Sequence, residues 1–333
     1  ERQDLVLPKI TVGLPTFNRS KTLTRSIELI LSQTFSDFEL LVYDDGSTDN
    51  TIELAKNFTD TRISFYSFPN QGPPAPLNFI LGKAQGDYII FLHDHDYFKK
   101  DLLEKCVDAL ENNQEVGFVL PAGITISENE NMVDDPISPP HDFQFINDGN
   151  FFLQKNFLQE KSFASKFHAC SMVRMSAMRS VGNKYKEKYG FYSDVELWLR
   201  LIKSFNFIYI DEVLIQFTAR EPDHQLNGNE ISILNSLYEI HLDIIHEFFP
   251  NKIDIYHKTL RHKYFNEVFW AIANTTANRA SGVDEQRKSI PINYVDSKLK
   301  FFAIQVLGSS LAITMLPVLK KMISFISSSK NTH

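Results

Sequence analysis

Cysteine is scarce in this chain, with only Cys106 and Cys170 among 333 residues. These two cysteines form neither the spacing of a metal site nor a disulfide framework, so a reducing compartment is the simpler assumption. Residues 1–4, Glu-Arg-Gln-Asp, contain no methionine and begin no signal-peptide pattern. We therefore expect a trimmed N-terminus and a cytoplasmic protein.

Positively charged residues are also fewer than negatively charged ones. The formal net charge is −7, and the sequence has no dominant basic stripe. Both observations argue against nucleic acid as the main partner. The hydrophobic content of 43% and the charged content of 23% predict a packed globular core. A chain of this length can form one large domain or two ordinary ones.

Strand and helix signals alternate along the N-terminal part of the chain. Predicted strands cover residues 10–14, 38–43, 63–67, 88–92, 116–121 and 207–217, and predicted helices cover residues 21–33, 50–58, 75–84, 101–113 and 192–204. This alternation indicates an α/β fold with a mostly parallel, Rossmann-like central sheet covered by helices. Residues 127–150 are polar and rich in Asp, Asn and Pro, which predicts a long loop.

Acidic residues follow two of the predicted strands. Asp44 and Asp45 end the second strand, and Asp94-His95-Asp96 comes just after residues 88–92. Carboxyl ends of parallel strands share one edge of a sheet, where ligands bind. Buried carboxylates need a partner, and Mg²⁺ or Mn²⁺ can be that partner while bridging to a substrate phosphate. The pattern therefore predicts a metal–diphosphate site, with a charged loop of solvated aspartates as the alternative.

Five motifs in this order and spacing resemble the family 2 glycosyltransferases over about residues 8–220. They are Pro15-Thr16-Phe17-Asn18-Arg19, Ser32-Gln33-Thr34-Phe35, Asp44-Asp45-Gly46-Ser47-Thr48-Asp49, Asn70-Gln71-Gly72, and Gly86 to Leu92 followed by Asp94-His95-Asp96. The resemblance implies a GT-A fold, a nucleotide-sugar donor and a divalent metal ion, Mn²⁺ or Mg²⁺. Together the motifs are specific, whereas each alone would be weak.

By this resemblance, the nucleoside of the donor is bound by Pro15, Thr16, Asp44 and Asp45. Carboxylates at such positions can accept the imide N–H of a uracil-type base or the ribose hydroxyls. Asn78, like Asn70, matches a position near the sugar donor, with a local turn or helix role as the alternative.

Asp94 and Asp96 match the DxD motif of the family. By that resemblance, Asp96 binds the metal directly, and Asp94 holds the ribose or reaches the metal through water. Many relatives carry aspartates where this chain has His93 and His95. One alternative is that His95 helps to bind the metal, which would shift preference from Mg²⁺ towards Mn²⁺. The other is that His95 lines the sugar pocket or faces outward.

Ser193-Asp194-Val195-Glu196-Leu197 matches the second acidic motif of the family, with Ser193 in place of the usual Glu. In inverting members the matching Asp is the general base, so the resemblance makes Asp194 the catalytic residue. A positioned carboxylate can take the proton of an attacking hydroxyl. Helix N-capping is the alternative for Asp194. Glu196 is either a solvated first-turn carboxylate or an acceptor contact.

The segment from Arg220 to His224 resembles one that follows the last core strand in many family members. By resemblance His224 completes the metal shell or touches the diphosphate, and the alternative is a surface-loop histidine. Arg220 could pair with a phosphate. On this basis we divide the chain into a GT-A domain at residues 1–225, with a donor half at about 8–121 and an acceptor half at about 122–225, and a helical region at residues 226–333.

The helical region has helical periodicity over about residues 229–249, 253–279 and 294–326. Residues 301–319 carry no charge and are flanked by lysines, and their length approaches the roughly 20 residues of a membrane span. Several of them are polar, which makes a poor spanning helix. A membrane-surface helix within 298–326, with snorkelling lysines, fits this pattern better. The alternative is a helix packed on the protein body or on another subunit of a homo-oligomer.

We therefore expect an inverting glycosyltransferase that moves a sugar from a UDP-linked donor to a glycan or lipid-linked saccharide in surface polysaccharide synthesis, at the inner face of the cell membrane. A sugar nucleotidyltransferase is disfavoured because residues 15–20 lack the glycines of its phosphate loop. A non-catalytic scaffold is disfavoured because Asp45, Asp94, Asp96 and Asp194 are all present. The absence of Gln-x-x-Arg-Trp argues against a processive synthase.

Overall fold

The computed structural model describes residues 7–126, 144–156, 170–218, 230–257 and 259–260. The chain divides into two compact units, Glu1–Arg220 and Glu221–His333, which we describe separately. Arg220, His224, the predicted helix 294–326 and most of the predicted helix 253–279 lie outside the described residues.

The described part of the first unit contains nine strands and seven α-helices. The strands are β1 Ile10–Thr16, β2 Phe38–Asp44, β3 Ile63–Ser67, β4 Tyr88–Phe91, β5 Tyr97–Phe98, β6 Val116–Ile126, β7 Ile146–Asn147, β8 Met172–Arg174 and β9 Asn206–Thr218. The helices are α1 Leu23–Leu31, α2 Thr51–Ala55, α3 Ala75–Lys83, α4 Leu102–Glu111, α5 Gly149–Asn156, α6 Met175–Ser180 and α7 Ser193–Ser204. A 3-10 helix, Glu187–Tyr192, leads into α7.

All nine strands belong to one sheet in the order β3-β2-β1-β4-β8-β6-β9-β5, with β7 paired to β9. The pairs β1–β2, β1–β4, β2–β3 and β6–β9 are parallel, while β8 runs antiparallel to both of its neighbours. Strands β1 to β4 therefore end at the same edge. The predicted α/β fold with a mostly parallel central sheet is confirmed.

Apolar residues at the expected spacings build the core. Strand β1 is buried along almost its whole length, as expected for a central strand covered on both faces. Helix α1 turns Leu23, Ile27 and Ile30 onto one buried face. These side chains and those of α4 belong to one continuous core, which fixes the strand ends that carry the acidic residues.

The longer predicted elements agree with the structure. The predicted strand 116–121 continues to Ile126, whereas the predicted helix 50–58 covers only Thr51–Ala55. The strands β5, β7 and β8 were not predicted, because two or three residues are too few to show a periodic pattern. β7 lies at 146–147, within the stretch predicted as a long loop, whose residues 127–143 lie outside the described part.

The described part of the second unit contains helix α8, Glu230–Phe248, and a short 3-10 helix, Pro250–Lys252. Helix α8 agrees with the predicted helix 229–249. Within the residues described in either unit, no helix combines the length and apolar character needed to cross a bilayer. The segment 298–326, which we predict to contact a membrane or another subunit, lies outside those residues.

Candidate active site

The ends of β1 and β2 place Thr16 beside Asp44 and Asp45. Thr16 is the register partner of Asp44, and the backbone N–H of Asp45 donates to the Thr16 carbonyl at 2.9 Å. Pro15 precedes Thr16 on the same strand, paired with Tyr43. The residues predicted to hold the nucleoside thus lie together at the carboxyl edge of the sheet.

Both carboxylates in this group are buried and organise the surrounding loops. Asp44 accepts the N–H of Ser47 and the hydroxyl of Ser67, the latter at 2.9 Å. Asp45 accepts the N–H groups of Gln71 at 2.8 Å and Gly72 at 3.0 Å, one on each oxygen. A carboxylate has about four acceptor sites, so Asp45 keeps capacity for a ligand while it holds this loop.

Gly46 allows the two loops to approach closely. Its φ of +78° lies in the left-handed region, and an added Cβ would stand 2.6 Å from the backbone nitrogen of Asn70. Only glycine fits this position without moving the backbone. Asn70 thus lies beside the residues predicted to hold the nucleoside.

The hydroxyl of Thr16 is a buried polar group without a hydrogen-bond partner among the described residues. Its side chain lies at the carboxyl end of β1, and the residue is only 4% exposed. Buried hydroxyls ordinarily find a partner because an unmade hydrogen bond is costly. This oxygen can therefore serve a ligand.

Asp96 is almost fully buried, at 1% exposure, and is held on both oxygens. His93 Nδ1 lies 2.8 Å from its Oδ2, and the backbone N–H of Thr218 donates to its Oδ1 at 2.8 Å. His95 Nε2 is 3.6 Å from the same Oδ1. Burial opposes ionisation, but the hydrogen bond from His93 and the two histidine charges together hold the pKa of Asp96 below its usual value.

Asp94 contacts His95 on its other ring nitrogen and also binds Arg19. Its Oδ1 lies 3.0 Å from His95 Nδ1 and accepts the Nε–H of Arg19 at 3.3 Å. Arg19, at the end of the first motif, therefore links the loop after β1 to the Asp94-His95-Asp96 turn.

Two residues outside the sequence motifs hold the Asp94-His95-Asp96 turn in place. Arg25 of α1 donates to the His95 carbonyl and to the Tyr97 hydroxyl, both at 2.7 Å, and Thr218 Oγ1 donates to the same carbonyl at 2.9 Å. Thr218 reaches the turn because β5 pairs with the end of β9. Sequence reasoning missed both residues, since their role depends on packing between distant segments.

Three side chains in this turn could together hold a divalent metal ion. His93, His95 and Asp96 each offer one ligand atom, and these atoms lie within 4.8 Å of one another. Imidazole and carboxylate ligands together suit first-row divalent ions such as Mn²⁺. Asp94 does not belong to this group, and the predicted ligand His224 lies outside the described residues.

Asp194 lies in the first turn of α7 and is partly exposed. Its Oδ1 accepts the N–H of Val195 at 2.7 Å, while the N-cap position belongs to Tyr192. Burial raises the pKa of Asp194, an effect that the hydrogen bond from Val195 and the charge of His93 partly offset. The charge of His93 thus acts on carboxylates of both acidic motifs, Asp96 and Asp194.

Glu196 differs from both interpretations of the sequence. It is fully buried, so the prediction of a solvated carboxylate is wrong, and both its oxygens are bonded within the protein. Arg200 binds them in bidentate fashion at 2.8 and 2.9 Å, and Lys186 Nζ lies 2.7 Å from Oε1. These contacts account for both carboxylate oxygens without an acceptor sugar.

The segment from Val181 to Lys186 is clamped from two sides. Arg200 donates to the carbonyls of Val181 and Lys184, while Asn78 of α3 binds both backbone groups of Tyr185, at 2.8 and 3.0 Å. Asn78 thus has a long-range structural role rather than the local one considered as an alternative. Burial and the charge of Asp194 raise the pKa of the buried Tyr185, an effect that the charge of Arg200 partly offsets.

The sheet and the acidic groups at its carboxyl edge define the class: an α/β protein with a GT-A-type architecture. S. aureus TarS residues 1–349, solved with UDP-GlcNAc, superposes with a TM-score of 0.63 at 16% identity, over 93% of this chain and 91% of that one. At this identity the likeness establishes the fold alone, and it confirms the predicted GT-A fold.

The family is established by sequence. The model described as glycosyl transferase family 2 matches residues 11–182, more than half of the chain, which therefore belongs to that family. An uncharacterized glycosyltransferase of Haemophilus influenzae is 40% identical over 110 residues, 32% of this chain and 44% of that protein. GalNAc(5)-diNAcBac-PP-undecaprenol beta-1,3-glucosyltransferase of Campylobacter jejuni is 29% identical over 205 residues, 60% of this chain and 62% of that protein. The chain thus spans less than two thirds of either relative.

Proposed function

We propose that this protein is an inverting, metal-dependent glycosyltransferase that moves a sugar from a UDP-linked donor to a hydroxyl of a lipid-linked saccharide. Membership of glycosyl transferase family 2 supports the reaction class. The TarS structure with UDP-GlcNAc supports the donor class. The Campylobacter relative, whose name describes an undecaprenol-linked saccharide, supports the acceptor class.

One observation carries this proposal. His93 contacts Asp96 at 2.8 Å, and its charge also acts on Asp194. The carboxylate that matches the metal-binding motif therefore contacts His93, and the carboxylate that matches the general base lies within the electrostatic influence of the same side chain. A glycosyl transfer needs this proximity, because the leaving diphosphate and the attacking hydroxyl flank the same anomeric carbon.

Asp194 is suited to act as the general base. Its raised pKa makes the carboxylate a stronger proton acceptor, and the base is most effective when its pKa approaches the working pH. In the proposed reaction Asp194 takes the proton of the acceptor hydroxyl as that oxygen attacks the anomeric carbon, opposite the departing UDP. A divalent ion at the His93, His95 and Asp96 group would neutralise charge on the leaving diphosphate.

The nucleoside fits the edge formed by Thr16, Asp44 and Asp45. Thr16 offers an unpartnered buried hydroxyl, and Asp45 keeps acceptor capacity towards an imide N–H or a ribose hydroxyl. Asp94 lies between Arg19 and His95, next to this edge, and we assign it to the ribose side of the site. The acceptor approaches from the side of Asp194.

A lipid-linked acceptor places the reaction at the inner face of the cell membrane, in the synthesis of a surface polysaccharide. Segment 298–326 is the proposed membrane contact.

A panel of nucleotide sugars tests the proposal. UDP-Glc, UDP-GlcNAc, UDP-Gal and GDP-Man would each be added with Mn²⁺, and thermal stabilisation would report binding, at about 2.7 kcal/mol for a ligand at 100 times its Kd. An undecaprenyl-diphosphate-linked saccharide would then serve as acceptor. We expect UDP release and a product whose anomeric configuration, read by NMR, is inverted relative to the sugar donor. Retention of configuration would contradict the inverting mechanism, and pyrophosphate release from a nucleoside triphosphate would indicate a nucleotidyltransferase.

A further inference from the structure

We propose that His93 and His95 are direct ligands of the divalent ion together with Asp96, so that the site prefers transition-metal ions to Mg²⁺. The inference rests on the proposed function, because the ion would serve the same sugar transfer. It goes further in naming the ligands and the class of ion.

The positions of the two imidazoles provide the first argument. Their rings are nearly parallel, with an interplanar angle of 11° and centroids 5.5 Å apart. Each faces a different oxygen of Asp96, at 2.8 Å from His93 Nδ1 and at 3.6 Å from His95 Nε2. Three ligand atoms from two residue types thus converge on one small region without help from another segment of the chain.

The surroundings hold these ligands in place, which is the second argument. His95 Nδ1 bonds to Asp94 Oδ1 at 3.0 Å, while His95 Nε2 lies 3.6 Å from Asp96 Oδ1. A carboxylate behind a histidine is the usual arrangement around metal-bound imidazole, because it fixes the tautomer and raises the basicity of the ring. The backbone N–H of Thr218 donates a hydrogen bond to Asp96 and so helps to orient this carboxylate.

The backbone of the turn is also fixed. The carbonyl of His95 receives two hydrogen bonds, from Arg25 and from Thr218 Oγ1. His95 is mostly buried and His93 is about one third exposed, so the group is accessible from one side. An ion can therefore enter on the side of His93 and meet ligands that are already oriented.

The identity of the ligands determines the class of ion. Mg²⁺ favours oxygen ligands, whereas imidazole suits Mn²⁺, Fe²⁺, Co²⁺ and Zn²⁺. A turn with aspartates in place of both histidines would offer oxygen atoms alone. The two histidines should thus move the preference of the site away from Mg²⁺, and replacing them by aspartate should restore it.

Cobalt absorption spectroscopy tests this inference without any enzymatic turnover. The full-length chain would be titrated with Co²⁺ in the absence of nucleotide, followed by competition with Mn²⁺ and Mg²⁺, for the wild type and for His93→Asp, His95→Asp and His246→Asp. The last is the matched control, because His246 is an exposed histidine of the second unit, where it makes an edge-to-face contact with His257. Circular dichroism would confirm that each variant is folded.

We expect the wild type to bind Co²⁺ at least ~100-fold more tightly than Mg²⁺, and each of the two site variants to lose about tenfold or more in Co²⁺ affinity. Mg²⁺ affinity should not fall, and the control should match the wild type. Unchanged Co²⁺ affinity in folded His93→Asp and His95→Asp, or a loss confined to His246→Asp, would overturn the proposal.

A second measurement needs no variant. Electron spin echo spectroscopy of Mn²⁺ bound to the wild type should show modulation from directly coordinated imidazole nitrogen, and its absence would overturn the proposal as well. The proposed function has its own readout: UDP release that continues while imidazole modulation is absent would reject the two histidine ligands and leave the transferase assignment intact. Failure to bind any nucleotide sugar would instead reject the transferase.

Discussion

Glu196 and Arg200 form a buried, bidentate ion pair within α7. Glu196 is 0% exposed and Arg200 is 8% exposed. Replacing Glu196 with alanine would leave the guanidinium of Arg200 buried without its carboxylate. Breaking a buried pair from one side costs about 3–5 kcal/mol. Arg200 keeps the carbonyls of Val181 and Lys184 as acceptors, so we expect a loss of about 3 kcal/mol, at the lower end of that range.

Urea denaturation followed by tryptophan fluorescence would measure this loss, because Trp198 is buried in the same helix. A loss of about 3 kcal/mol corresponds to a decrease in Tm of about 6 to 12 °C for a domain of this size. Lys186→Ala is the control for the third member of the cluster. The Lys186 side chain is 37% exposed, and its removal should cost no more than about 1 kcal/mol.

The double variant Glu196→Met with Arg200→Met distinguishes the cost of leaving one buried charge unpaired from the cost of losing the ion pair itself. An apolar pair of similar volume can replace a buried ion pair at little cost. The double variant should therefore be more stable than Glu196→Ala. A cost below about 1 kcal/mol for Glu196→Ala, or a double variant whose loss equals the sum of both single losses, would refute the reasoning.

Two further predictions concern the nucleoside-binding residues. Thr16→Val should leave the free energy of unfolding unchanged or slightly higher, because the Thr16 hydroxyl has no partner among the described residues. The same variant should bind UDP more weakly in calorimetry. Equal UDP affinity would show that this hydroxyl does not serve the ligand. Gly46→Ala should destabilise the first unit by about 1–3 kcal/mol and weaken UDP binding, because the backbone at φ +78° next to Asn70 has no room for a Cβ. A variant as stable as the wild type in denaturation would contradict this prediction.

The sequence predicted the main features of the sheet and the places where its acidic residues lie. Residues such as Asp45 and Asp96 follow long apolar runs, and a strand that ends in a carboxylate is visible without a structure. The parallel order then requires those ends to meet at one edge. Both parts of this prediction depend on local pattern and on a general rule of α/β topology.

Other parts of the site depend on contacts that no local pattern contains. Thr218 reaches Asp96 only through the pairing of the two-residue strand β5 with β9. Asn78 and Tyr185 are joined across the fold by two hydrogen bonds. The sequence also places Glu196 in the first turn of a helix, where carboxylates are usually solvated, and the buried partners Arg200 and Lys186 become evident only after the preceding segment is packed against that helix.

The pH dependence of kcat for the wild type and for Asp194→Asn tests the central claim most directly. Burial raises the pKa of Asp194, so the active carboxylate should be lost as pH falls through a value above the ordinary ~3.9 of aspartate. Asp194→Asn should bind UDP-sugar normally, lose about 10²- to 10⁴-fold in kcat, and lose this acidic limb. Glu187→Gln is the control, because the Glu187 side chain is 71% exposed and contacts only Lys184 among the ion pairs described. An Asp194→Asn variant that keeps wild-type kcat and the same acidic limb would contradict the account.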